Sequence, residues 1–97
     1  MELRAAFALT LRELRLQQGL TQEDFTTVSS RTNLSLLERE KTVPTIEKLA
    51  QLCTVLKIHP LTLMAICYSK MEGVSIDQIF SHSIQEATLL SSGTTGS

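Results

Sequence analysis

The stretch "SSRTNLSLLEREKTVP", residues 29–44, decides how the chain is read, because it sets polar side chains and two arginines beside three leucines and ends on a proline. Leu34 and Leu37 recur at helical spacing and give the segment an inward face, leaving Arg31, Thr32, Ser35 and Leu36 partly or wholly outside it. A helix from about Ser30 to Arg39 follows. It presents a polar outer surface that folding alone does not demand.

Upstream, Leu3, Phe7, Leu11 and Leu14 repeat on one face of a first helix, and Gly19 suits the left-handed residue that ends it. In "LTQEDF", residues 20–25, Thr21 caps a second helix, Glu23 and Asp24 suit its positive end, and Leu20 can staple against Phe25. That helix must be short, since "TTVSS" at 26–30 is β-branched and hydroxyl-rich. Downstream, Pro44 breaks the pattern and Thr45 caps a fourth helix with Ile46, Leu49, Ala50, Leu52, Cys53 and Leu56 as its apolar stripe. A fifth, strongly apolar helix starts at Pro60 and stops at Gly73. Ser75 with Gln78 forms a capping box for a sixth, amphipathic helix carrying Ile76, Ile79, Phe80, Ile84 and Ala87. The last seven residues, "SSGTTGS", contain nothing apolar and are expected to be disordered. The expected class is all-α, with residues 1–70 as one domain, 71–90 as a C-terminal helix and 91–97 as a tail.

Composition bounds the chemistry. Ninety-seven residues, 42% apolar and 20% charged, fit one small globular domain, and a core this small would gain from packing against a second copy. A net charge of −1 points to no nucleic-acid or membrane partner by itself, so any anion-binding surface must come from local clustering. Cys53 and Cys67, with thirteen residues between them, lie in apolar helices, and His59 and His82 stand alone, so buried free thiols are expected and no metal site or cofactor. No nucleophile and base pair up, which argues against an enzyme. The first residues mix charge with a short apolar run and carry no signal-peptide pattern, so a cytoplasmic protein with reduced thiols is expected.

Two short helices joined by a tight turn can place the second in a DNA major groove. Beyond that geometry, "LRELRLQQGLTQEDF" and "LSLLEREKTVPTIEKLAQLCTVLKIHPLTL" resemble the Xre/Cro/C1-type helix-turn-helix domain of bacterial and phage repressors. The resemblance covers about residues 4–66: a Leu-Arg-x-x-Arg before Gly-Leu-Thr-Gln-Glu, a Leu-Glu-Arg, a proline six residues after that glutamate, and a final apolar helix pair. It implies a five-helix lambda-repressor-like domain followed here by the C-terminal amphipathic helix.

The resemblance also implies roles. Arg31, Thr32, Asn33 and Leu36 fall at or beside base-reading positions, and Thr21, Gln22, Ser30, Arg39, Lys41 and Thr42 at phosphate-contacting ones. These side chains suit those tasks, since arginine grips guanine bidentately, threonine and asparagine bond base edges, and leucine meets a thymine methyl. Arg15 and Glu38 match a structural ion pair between the first and third helices. Double-stranded DNA is the implied partner, bound by a homodimer acting as a transcription regulator, most simply a repressor at a palindromic operator. Ile76, Ile79, Phe80 and Ile84 are the candidate dimer contacts, although the sixth helix could instead pack back on the fifth. The alternative function is a protein-interaction module, antitoxin-like or adaptor, that keeps the fold.

Three departures from the family pattern mark this chain. Two residues fewer than usual separate Gln22 from Glu38 and the turn has no glycine, Glu40 stands where glycine usually follows Leu-Glu-Arg, and Leu36 replaces a polar residue.

Overall fold

In the computed structural model, which describes residues 1–95, the chain is all-helical among the described residues. Five α-helices, α1 (Leu3–Gln17), α2 (Arg31–Glu38), α3 (Ile46–Leu56), α4 (Pro60–Glu72) and α5 (Ile76–Thr95), are joined by short connections. One turn of 3-10 helix, Gln22–Phe25, lies between α1 and α2.

Local chemistry sets the boundaries. After α1, Gly19 takes a left-handed φ of 69° and the Leu20 amide returns to the Arg15 carbonyl at 2.9 Å, closing the helix end. Thr21 and Asp24 then cap each other: the Asp24 amide donates to Thr21 Oγ1 at 3.3 Å and the Thr21 amide to Asp24 Oδ2 at 2.7 Å. The second helix nevertheless stays a single 3-10 turn, closed by Thr26, whose amide (3.1 Å) and Oγ1 (2.9 Å) both donate to the Glu23 carbonyl. Ser30, Thr45 and His59 cap α2, α3 and α4 through their own side chains. Ser75 and Gln78 close a box at the start of α5, with bonds of 2.9 and 3.1 Å.

The core gathers where α1, α2, the 3-10 turn, α3 and α4 meet. Phe7, Leu11, Phe25, Leu34, Leu37, Leu52, Cys53, Leu56, Leu63 and Cys67 are all buried there. α1 packs chiefly along α4, and α5 touches the body through α4. Two residues of the expected α3 stripe fall outside it: Ile46 is 86% exposed and Ala50 is also exposed. Ile46 is the first residue after the Thr45 cap and overhangs the end of the helix, while Ala50 turns away from the line Leu49, Leu52, Cys53, Leu56.

Among the described residues, α5 differs from the other helices in having no buried side chain. It projects from the body, and the radius of gyration of 15.4 Å exceeds the roughly 12.5 Å of a compact chain of this length. It also runs to Thr95, past the point near residue 90 where the sequence pattern ends it. Once a helix is nucleated, each further residue adds one hydrogen bond, which carries it beyond its apolar stripe. Residues 96 and 97 lie outside the described residues.

Among the described residues no single helix is long and apolar enough to cross a membrane. The pair α3 and α4 is so only jointly, across a bend of 102°, and its apolar side chains form the core just described.

Candidate nucleic-acid interface

The outward surface of α2 follows from its inward one. With Leu34 and Leu37 buried, a rotation of about 100° per residue turns Thr32, Ser35, Leu36 and Arg39 to the opposite side, with Arg31 at the edge. Arg31, Thr32 and Arg39 are exposed, and Ser35 and Leu36 are half-buried. Ser35, at the middle of this row, is the position the family resemblance passed over. It accepts from Arg39 Nε at Oγ (3.2 Å) and at its carbonyl (3.3 Å), which lays the Arg39 guanidinium along the row. The 3.6-residue period alone was enough to find it.

Asn33 is not part of the row. It is half-buried on the side toward the preceding turn, where its Nδ2 donates to Ser29 Oγ at 2.9 Å. Its amide donates to Ser30 Oγ at 3.0 Å, so Ser30 caps the helix with that oxygen. Arg31 reaches back toward the 3-10 turn, its Nη1 standing 4.0 Å from Glu23 Oε1 with both side chains largely exposed. A contact so open to water is weak and is easily exchanged for another partner.

The flanking positions fall on both sides of the row. Thr21 is exposed but occupied by Asp24, and Gln22 is half-buried with Nε2 donating to Glu38 Oε1 at 3.2 Å. Beyond the C-terminal end of α2, Lys41 is exposed, while Thr42 is half-buried and its Oγ1 has no hydrogen-bond partner among the described residues. The connection is sharp because Glu40 takes a left-handed φ of 64° and the Lys41 amide donates to the Leu36 carbonyl at 2.9 Å. A glutamate therefore occupies a backbone conformation that glycine adopts without strain. It also sets a carboxylate between Arg39 and Lys41 in the chain.

Arg15 and Glu38 fix the C-terminal end of α2. Arg15 donates from Nε to Glu38 Oε2 at 2.6 Å and from Nη2 to Oε1 at 2.9 Å, and its Nη1 donates to the Leu20 carbonyl at 3.1 Å. The two side chains are 11% and 5% exposed. The bond to Glu38 holds the Arg15 pKa above its ordinary value against the opposing effect of burial, so the guanidinium stays charged and committed to this contact.

Of the four candidate dimer residues, Ile79 is half-buried against the body, Ile76 and Phe80 are more than a third exposed, and Ile84 is exposed. Tyr68 of α4 stands in the wedge where α5 leaves α4. Cys53 and Cys67 are free and buried, and burial pushes both thiols up from their ordinary pKa. No group of histidine, cysteine, aspartate or glutamate side chains among the described residues is placed to hold a metal ion.

Against known proteins, a helix-turn-helix family model, HTH_3, matches residues 11–63, inside the stretch that carries the Xre/Cro/C1-type resemblance. The crystal structure of the clp gene regulator ClgR from Corynebacterium glutamicum resembles the chain with a TM-score of 0.68 at 23% identity, over 97% of this chain and 96% of that one. That likeness is one of fold, and it extends well beyond the matched residues. No curated protein matches the chain.

Proposed function

The chain belongs to the helix-turn-helix family HTH_3, and from that premise we propose that it is a sequence-specific DNA-binding transcription regulator that reads DNA through α2. The observation that carries this reading is the α2 surface: Leu34 and Leu37 are buried while Arg31, Thr32, Ser35, Leu36 and Arg39 form one outward row. Arg31 and Thr32 reach base edges, Leu36 meets a thymine methyl, and Arg39 and Lys41 steady the phosphate backbone with help from Gln22 and Thr42. Acting on the genome puts the protein in the cytoplasm, where Cys53 and Cys67 stay reduced.

One helix of this length covers too few base pairs for useful specificity, so the protein binds as a homodimer at a palindromic site, the two α2 helices about 34 Å apart on successive turns of the duplex. The exposed apolar stripe of α5, with Ile76, Phe80 and Ile84, is the surface that pairs the two copies. Occupying an operator in this way most simply makes the protein a repressor.

Selection from a pool of random DNA duplexes tests the reading. Enrichment of a palindrome with half-sites about 10 base pairs apart is expected. Absence of any enriched sequence would overturn it and leave the alternative favoured by the bare α5 stripe and by the carboxylates of Glu23 and Glu40, a module that binds another protein. Removing residues 74–97 and measuring mass in solution tests the dimer surface. A truncated chain that stays dimeric would exclude α5.

A further inference from the structure

The turn before α2 has no glycine, yet it is held in one shape by a side chain from elsewhere in the fold. Lys48, on the first turns of α3, sends its ammonium across twenty residues of sequence to donate to the Val28 carbonyl. That carbonyl lies at the end of the turn, where the Val28 and Ser29 amides have already closed onto the Phe25 carbonyl at 3.0 and 2.9 Å. A cation suits the negative end of such a turn. Lys48 is half-buried and spent on this bond, so it is not a free surface lysine.

From Val28 the connection passes directly to α2. Ser29, next in the chain and 7% exposed, accepts Asn33 Nδ2 at 2.9 Å and donates to the Ser30 carbonyl at 3.4 Å, and Ser30 caps the helix. At its other end α2 is gripped by Arg15 through Glu38, its last residue. The helix is therefore pinned at both ends by cations from two other helices, Arg15 from α1 and Lys48 from α3. An eight-residue helix is only about 12 Å long, so slack at either end swings the whole outward row. Base readout tolerates displacements of only about 0.5 Å.

We propose that Lys48 is a positioning residue for DNA recognition: acting through Val28, Ser29 and Asn33, it sets the angle at which α2 presents Arg31 and Thr32, and makes no DNA contact itself. This rests on the reading of α2 as the DNA-binding helix. Lys48→Met keeps the stem and removes the donor, and Lys48→Arg keeps a cationic donor.

The experiment titrates wild type and both variants against the duplex recovered by selection and against a random duplex, over a range of salt concentrations. Amide exchange is followed in parallel in the DNA-free protein. Lys48→Met is expected to lose on the order of tenfold for the selected duplex and less than twofold for the random one, with an unchanged salt slope, whereas Lys48→Arg stays close to wild type. An equal loss on both duplexes with the salt slope reduced by about one would make Lys48 a phosphate contact and overturn the proposal. So would no loss at all. Amide exchange separates this proposal from the function it rests on: Lys48→Met should exchange faster at Val28, Ser29 and Asn33 than wild type while the α4 amides keep their protection. Unchanged exchange in the turn would sink the clamp even if the protein reads DNA, and faster exchange in a protein that selects no DNA would leave the clamp standing and refute the reading of α2. Should Lys48→Met fail to fold, Lys48→Gln, with a shorter neutral side chain, is put through the same measurements.

Discussion

Replacing Glu38 with alanine strips three hydrogen bonds at once, those from Arg15 Nε at 2.6 Å, Arg15 Nη2 at 2.9 Å and Gln22 Nε2 at 3.2 Å. Among the described residues Arg15 is left with only the Leu20 carbonyl, at 3.1 Å. Its side chain is 11% exposed, so water replaces little of what is lost. Removing one partner of a buried ion pair costs about 3–5 kcal/mol, and the surviving bond to Leu20 places this case near about 3. That is a large share of the roughly 5–15 kcal/mol that stabilises a small domain. In urea unfolding followed by helical circular dichroism, a slope of about 1.5 kcal/mol per molar turns the loss into a midpoint about 2 M lower, with the slope itself unchanged. Combining Arg15→Leu with Glu38→Leu leaves no stranded charge and should recover much of the loss. A midpoint drop below about 0.5 M for Glu38→Ala, or a double variant no more stable than the single one, would refute the reasoning.

Glu40→Gly relieves the left-handed backbone at φ 64° and should stabilise the protein by about 0.5–1 kcal/mol, read as a rise of a few degrees in melting temperature. Glu40→Gln keeps the backbone and removes only the charge that opposes Arg39 and Lys41. It should tighten binding to random DNA most at low salt, and equal or tighter binding by the wild type at every salt concentration would contradict that. Cys53 and Cys67, buried and with their thiols pushed up, should resist a thiol-specific reagent in the native protein and react once it is unfolded. Rapid labelling of the folded chain would show that the α3 and α4 core opens readily.

Much of the fold was legible because its signals are local. Thr21, Thr45 and Ser75 each announce a helix start through a side chain acting three residues away, and Gly19 and Gly73 announce ends. The left-handed requirement at residue 40 was visible only through the family pattern, since nothing about a glutamate suggests it. The less legible features depend on tertiary contacts or on competition between bonds. Whether "QEDF" is an α-helix or one 3-10 turn shows in the bonds of Thr26, whose amide and Oγ1 both donate to the Glu23 carbonyl. Whether Asn33 faces outward turns on Ser29 being buried close enough to accept its amide. The bond from Lys48 to Val28 spans elements that only the folded chain brings together. The sixth helix was legible as amphipathic, but amphipathicity does not say how much of its stripe a body this small can cover. Here Ile79 meets the body, and Ile84, Leu89 and Leu90 stay exposed.

Whether α2 reads base sequence is decided by Arg31→Ala. Wild type and variant are titrated against the selected duplex, against a set carrying single base-pair changes, and against random DNA, at one fixed salt concentration. Arg31→Ala is expected to lose about 1–3 kcal/mol on the selected site, to become indifferent to the base pair at one position in each half-site, and to bind random DNA only slightly more weakly than wild type. A loss of the same size on every duplex, with the preference at every position intact, would mean that Arg31 meets only the phosphate backbone and would contradict the assignment of α2 as the reading helix.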